Sequence, residues 1–157
     1  MTETEPKCAE IEPKPTVFFI DRCLGSVKLA TALRKAGISV EIHDEHFPQN
    51  AEDESWLPEV GERGWVVLTK DKNIAKRTSE RLAVASANIR MFVLAVQNLP
   101  GQDMIEVFLK AFMKMQTFAR ENPSPFIAKV YKTGEVSEWK NHEELLTKLN
   151  DMTRSMD

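Results

Sequence analysis

The sequence predicts an α/β protein built on a mainly parallel sheet. Short apolar runs that do not alternate with polar residues recur along the chain, which is typical of strands buried on both faces. Helical segments separate these runs, so strand and helix alternate four times, as right-handed crossovers require. The chain has 157 residues, of which 42% are hydrophobic and 29% charged, enough for one domain with a hydrophobic core.

The first half of the chain predicts a leader, two strands and two helices. Residues 1–15 combine charges with prolines, which predicts a disordered leader. Ser26 is a suitable N-cap for a helix that ends at Gly37, and Ser55 for a second helix with Pro58 in its first turn and Asp53 and Glu54 just ahead of it. The first helix is expected at 27–36, and strands are expected at 16–20 and 38–42.

The second half predicts two further strands, three helices and a hairpin. The hairpin turns around Thr133–Gly134. The helix expected at 102–120 has two apolar stripes, which are expected to pack in the core, with part of them as a candidate homodimer face. The other elements are strands at 65–68 and 89–95 and helices at about 73–85 and 141–150.

Composition excludes several classes of protein. The net charge of −3 gives no general affinity for nucleic acid, although a local basic patch can still provide it. The sequence has neither a signal-peptide pattern nor an apolar run that would cross a membrane. Cys8 and Cys23 form neither a disulfide framework nor a metal-binding pair. A cytoplasmic protein is the expectation.

Acidic residues follow the predicted strands. Asp21 ends the first strand, Asp44 and Glu45 follow the second, and Asp71 lies just beyond the third. Asp53 and Glu54 precede the helix between the second and third strands. Because parallel strands end at one edge of a sheet, these carboxylates are expected to converge there. Mg²⁺ or Mn²⁺ would relieve their mutual repulsion and could act on a phosphodiester.

Each of these residues also has a structural interpretation. Single acids at strand ends often cap helices or lie in solvated loops, and Asp53 suits the positive end of a helix. His43 and His46 bracket Asp44, and hydrogen bonding in a loop is favoured for them over metal ligation. Basic residues at Lys76, Arg77 and Arg81 suit either a phosphate backbone or a solvated helix face.

The motifs "FFIDRCLG", "HDEHF", "DESWLPEVGERGWVVLTKDKNI" and "PFIAKVY" resemble those of PIN-like domain proteins grouped with the VapC45-type toxins. The resemblance covers about residues 16–132. It implies a three-layer α/β/α fold, with residues 133–157 as a C-terminal extension. It also implies cleavage of RNA that depends on Mg²⁺ or Mn²⁺, and an antitoxin protein as a possible partner.

The resemblance also implies roles for individual residues. Asp21, Asp53 and Asp71 would be metal ligands, with Glu54 as an alternative middle acid. Thr69 would orient Asp71, and Asn73 and Asp44 would support the site. Contacts to phosphate would come from Lys70, Lys72 and Arg22. Cys23 stands where such sites usually have serine or asparagine, and Asn73 where many have an acid.

Three functions follow as hypotheses. The first is a metal-dependent endoribonuclease, possibly a toxin of a toxin–antitoxin pair. The departures at Cys23 and Asn73 motivate the second, a catalytically weak or inactive scaffold that binds RNA or a protein. The third is a phosphotransfer domain that uses Asp71, for which the sequence offers no matching lysine on the last strand.

Overall fold

The structure, a computed structural model, describes most of the chain. The described part leaves out several residues for which the sequence made predictions, namely 1–15, Arg22, Cys23, Ser26, Lys72 and Asn73. The structure therefore does not test the predictions that rest on these residues. Side-chain positions are not described for 53–54 and 151–156. The described residues are 16–21, 24, 27–48, 51, 53–71, 76–96 and 99–156.

Strands and helices alternate along the described chain as predicted. The strands are β1 (Val17–Ile20), β2 (Ser39–Ile42), β3 (Val66–Thr69), β4 (Arg90–Leu94), β5 (Phe126–Val130) and β6 (Val136–Lys140). The helices are α1 (Val27–Lys35), α2 (His43–His46), α3 (Asp53–Glu62), α4 (Thr78–Ser86), α5 (Gly101–Glu121) and α6 (His142–Met156).

The strands form one sheet in the order β2-β1-β3-β4-β5-β6. The first five are parallel, and β6 pairs antiparallel with β5 to complete the predicted hairpin. Gly134 turns this hairpin with a φ of +89°, a conformation that glycine adopts without strain. The prediction of a mainly parallel sheet is therefore confirmed.

Both faces of the sheet are covered by helices, which explains why the central strands lack polar alternation. Phe18 and Ile20 of β1 pack in one cluster with α1 and α5, whereas Phe19 packs in a second cluster with α3, α4 and α6. The same alternation holds in β4, where Phe92 faces the first cluster and Met91 the second. The three-layer α/β/α prediction is confirmed.

The start of α3 differs from the prediction. The helix begins at Asp53, so Ser55 is its third residue rather than its N-cap, and Asp53 and Glu54 form its first turn rather than precede it. Pro58 is the sixth residue and lies inside the helix. The missing N–H of Pro58 costs one helical hydrogen bond. Burial of Trp56 and Leu57 and favourable placement of acids at the helix N-terminus offset this cost.

The helix predicted from about Asn73 to Ala85 is interrupted. Residues 72–75 lie outside the described part, and so does the predicted start. Lys76 is helical, but Arg77 has an extended backbone, with φ −81° and ψ 131°, and α4 begins after it at Thr78.

No helix within the described ranges is both long and apolar enough to cross a bilayer.

Gly61 allows α3 to pack closely against the loop that enters β4. A Cβ at this position would lie 2.0 Å from the carbonyl oxygen of Ala87, a backbone atom that cannot rotate away. Replacing Gly61 with alanine should therefore lower the free energy of unfolding by about 3 kcal/mol, measured by urea denaturation.

Gly101 provides the matched control, because a Cβ there would have no atom within 4 Å. Gly101→Ala should raise the free energy of unfolding by about 0.5 kcal/mol, since alanine restricts the unfolded chain. Equal effects of the two substitutions would contradict the close approach at Gly61.

Candidate active site

Three polar residues lie side by side where the first three strands of the sheet end. Ile20 is in register with Ile42 on one side and with Leu68 on the other. The next residues along these strands are Asp21, His43 and Thr69, and all three are buried. The backbone N–H of Asp21 donates to the carbonyl oxygen of Leu68 at 3.0 Å, which extends the strand pairing into the site.

The Thr69 hydroxyl joins two acidic residues that are 50 positions apart in the sequence. It donates to Oδ2 of Asp21 at 2.7 Å and accepts the backbone N–H of Asp71 at 3.1 Å. A hydroxyl can donate one hydrogen bond, and Thr69 donates it to the carboxylate of Asp21. The short bond to a charged group helps to offset the cost of burying Asp21, which is only 7% exposed.

Asp71 lies two residues beyond the end of β3 and is half-buried, as is Lys70. The bond to Thr69 fixes the backbone at Asp71 relative to Asp21. The sequence prediction that Thr69 orients Asp71 through its hydroxyl therefore has a geometric counterpart, although the bond reaches the Asp71 main chain. Of Lys70, Lys72 and Arg22, the residues that the resemblance assigns to phosphate, only Lys70 lies among the described residues.

The predicted middle acids lie at the start of α3. This helix leads to the beginning of β3, so its first residues, Asp53 and Glu54, lie towards the edge at which β2 ends. A helix N-terminus carries partial positive charge, which favours acids there and also attracts anions. The structure places this backbone but leaves the directions of both side chains undescribed.

The segment after β2 folds into the helical turn α2 rather than a loop. His43 is 1% exposed and packs against the rings of Phe19, Phe47 and Trp56 at centroid distances of 5.5–6.0 Å. Its Nδ1 lies 3.3 Å from a carboxylate oxygen of Asp44. This placement gives His43 a packing role beneath the edge.

The other polar residues of α2 contact neighbouring elements. Glu45 lies 3.7 Å from Arg34 of α1, and His46 lies 2.7 Å from Glu41 of β2. Asp44 has a side chain that is 42% exposed.

A buried acid in the first turn of α4 was missed by sequence reasoning. Glu80 is 8% exposed and accepts a hydrogen bond from Arg77 at 3.0 Å. Its second carboxylate oxygen is buried and has no hydrogen-bond partner within the described part of the chain. The i,i+3 spacing of Arg77 and Glu80 in the sequence could have predicted the ion pair between them. Of the three basic residues interpreted as a solvated helix face, Lys76 and Arg77 are exposed and only Arg81 is partly buried.

The donor set suits a hard divalent cation in part. Asp21 and Asp71 supply carboxylate oxygens at one edge, and such ligands are those that Mg²⁺ and Mn²⁺ prefer. Among the side chains that the structure describes, no three from His, Cys, Asp and Glu converge closely enough to hold a metal. Asp53 or Glu54, or oxygens of water, would have to complete such a site.

Comparison with known proteins agrees with this architecture. The family model described as "PIN like domain" matches residues 16–96, which run from β1 to just beyond β4. A Mycobacterium tuberculosis protein (strain ATCC 25618 / H37Rv) named "Putative ribonuclease VapC45" is 29% identical over 117 residues, covering 72% of this chain and 84% of that protein. No solved structure matches the chain at a significant level. The resemblance predicted from the motifs is thus confirmed, and the chain belongs to the family of PIN-like domain proteins.

Proposed function

We propose that this protein is an endoribonuclease that depends on Mg²⁺ or Mn²⁺. The observation that carries the proposal is the link from Asp21 through Thr69 to Asp71 at the strand ends of a PIN-like domain. The similar protein from Mycobacterium tuberculosis is named a ribonuclease, which supports RNA as the substrate.

In the proposed site, the acids at the sheet edge hold the cation. Asp21 and Asp71 are ligands, and Asp53 or Glu54 completes the set or orients water. When bound, the cation would activate a water and neutralise charge on the phosphodiester. Thr69 keeps Asp21 and the Asp71 backbone in fixed positions. Lys70, with Lys72 and Arg22, contacts phosphate, and Asn73 and Asp44 support the acids.

The biological setting follows from the same resemblance. As a toxin of a toxin–antitoxin pair, the protein would cut cellular RNA until an antitoxin protein blocked it. Such a protein would act in the cytoplasm, where its substrate is found. Both predicted apolar stripes of α5 pack in the core, so a homodimer face on this helix would instead use its exposed side chains Leu109 and Met113.

Cation dependence gives the first test. The purified protein should cut an end-labelled RNA at internal positions when Mn²⁺ or Mg²⁺ is present, because the carboxylates alone cannot neutralise the scissile phosphate. EDTA should reduce the cleavage rate at least 100-fold, and an excess of Mn²⁺ should restore it. Denaturing gel electrophoresis of the products measures both the rate and the internal position of the cuts.

Two outcomes would contradict the proposal. Cleavage at the same rate in EDTA would exclude the cation from the reaction. RNA binding without cleavage at any concentration of Mn²⁺ would instead support the scaffold function that the departures at Cys23 and Asn73 suggest.

A further inference from the structure

A groove lies at the edge of the sheet where the parallel strands begin, opposite the candidate active site where they end. It has a volume of about 840 Å³ and is lined by the first residues of β1 to β4, which are Val17, Ser39, Val66 and Arg90. The groove crosses four neighbouring strands, and the three spacings between them add up to a length of about 14 Å. This length exceeds the width of one phosphate group. The groove is therefore long enough for an extended ligand.

The groove is strongly basic. The described residues that line it include Arg63, Arg90 and Arg120 and no aspartate or glutamate. Arg63 forms a distant ion pair with Glu59 at 3.9 Å. Within the described chain, Arg90 and Arg120 have no acidic partner within 4.0 Å. Among the residues that the structure describes, the positive charge in the groove is thus left without a matching acid.

Ordinary structural roles explain only part of this arrangement. Arg120 lies in the last turn of α5, where a cation interacts favourably with the helix dipole. Arg90 begins a strand, so no helix end accounts for it. Its Nε is buried and has no hydrogen-bond partner among the residues that the structure describes. A buried guanidinium N–H without a partner is costly, and a bound anion beside Arg90 would lower that cost electrostatically.

The side chains also suit a nucleotide. The guanidinium carbon of Arg63 lies 4.9 Å from the centre of the Trp65 ring, and both residues line the groove. An arginine held over an aromatic ring has its fork of donors partly ordered and offers a plane on which a base can stack. Guanidinium groups match phosphate oxygens with two parallel hydrogen bonds.

We infer that this groove binds the phosphate backbone of single-stranded RNA at nucleotides away from the cleaved bond. The choice of RNA as the ligand rests on the proposed function, whereas the groove itself does not. Strands of four or five residues place the groove about 13–16 Å from the candidate active site, measured along the strands. The same RNA molecule would have to pass around the domain to reach both edges.

Binding of a fluorescein-labelled single-stranded RNA, followed by fluorescence anisotropy, tests this inference. EDTA in the buffer prevents metal-dependent cleavage, and gel electrophoresis after each titration confirms that the RNA is intact. Arg90→Gln/Arg120→Gln should weaken binding at least tenfold at low salt. The slope of log affinity against log salt should become shallower by about 1.4, because two phosphate contacts are lost.

Lys110→Gln/Lys132→Gln is the matched control, since it removes the same charge from exposed positions outside the groove. It should change neither the slope nor the affinity by more than a factor of two. If circular dichroism shows that the Arg90 variant is unfolded, Arg120→Gln alone decides the question. Arg120 lies on an exposed helix surface, and its loss should reduce the slope by about 0.7.

Three outcomes would overturn the inference. These are no binding of RNA by the wild-type protein, equal effects of the arginine and lysine pairs, and folded arginine variants that bind RNA with the wild-type affinity and salt dependence. The readout is independent of the nuclease proposal. A protein that cuts no RNA yet binds it through these arginines would support the groove and contradict the proposed catalysis.

Discussion

Replacing Asp21 with asparagine is expected to lower the rate of RNA cleavage at least 100-fold while the protein stays folded. Asparagine has the size of aspartate, and its carbonyl oxygen can still accept the hydrogen bond that Thr69 donates at 2.7 Å. The negative charge that would hold the cation is lost. Single-turnover cleavage of a labelled RNA with Mn²⁺ in excess measures the effect on the chemical step.

Asp103→Asn is the control for this substitution. Asp103 is an exposed acid in the first turn of α5, a helix that also begins at the edge where the strands end. Its replacement removes the same charge from the same side of the molecule and should change the rate by less than a factor of two. A D21N variant that cleaves as fast as D103N would remove Asp21 from the mechanism.

Replacing Thr69 with valine is expected to reduce cleavage by about 10-fold to 100-fold. Valine fills the same space in β3 but can neither donate to Asp21 nor accept the N–H of Asp71. Both acids would lose the bond that fixes their relative positions. The buried Asp21 carboxylate would also lose a donor, so the free energy of unfolding should fall by about 1–3 kcal/mol.

Thr69→Ser distinguishes a positioning role from a packing role. Serine keeps the hydroxyl and loses a methyl group, so its cleavage rate and its affinity for Mn²⁺ in calorimetry should stay near those of the wild type. T69V should bind Mn²⁺ about tenfold more weakly. If serine and valine reduce the affinity equally, then the methyl contacts of Thr69 matter and its hydroxyl does not.

The sheet could be predicted from sequence because its central strands are buried on both faces. The run from Val17 to Ile20 is apolar throughout, and the structure divides it between two separate core clusters. A parallel sheet then brings its strand ends, and with them Asp21 and Thr69, to one edge. The order of the strands was not predicted, because the alternation of strands and helices does not show that β1 pairs with β3 as well as with β2.

Features that depend on tertiary contacts could not be predicted in the same way. The segment from His43 to His46 has no apolar period, and its helical turn is fixed when His43 packs against the rings of Phe19 and Trp56 from two other parts of the chain. The beginning of α3 was predicted wrongly because Ser55 and Pro58 together resemble a helix start, whereas the acids at Asp53 and Glu54 occupy that position.

Residues that converge from distant parts of the chain are the hardest to predict. Arg63, Arg90 and Arg120 are separated by nearly 30 residues at each step, and only the folded sheet brings them into one groove. The burial of Glu80 has the same origin, since its own helix is polar in its first turn.

The proposed nuclease site requires Asp21 and Asp71 to share one divalent cation. A crystal of the protein soaked in Mn²⁺ and measured at the manganese absorption edge tests this requirement directly. We expect one anomalous peak in contact with the carboxylates of both residues. A peak elsewhere, or these two side chains pointing into separate regions with no peak between them, would exclude the proposed site.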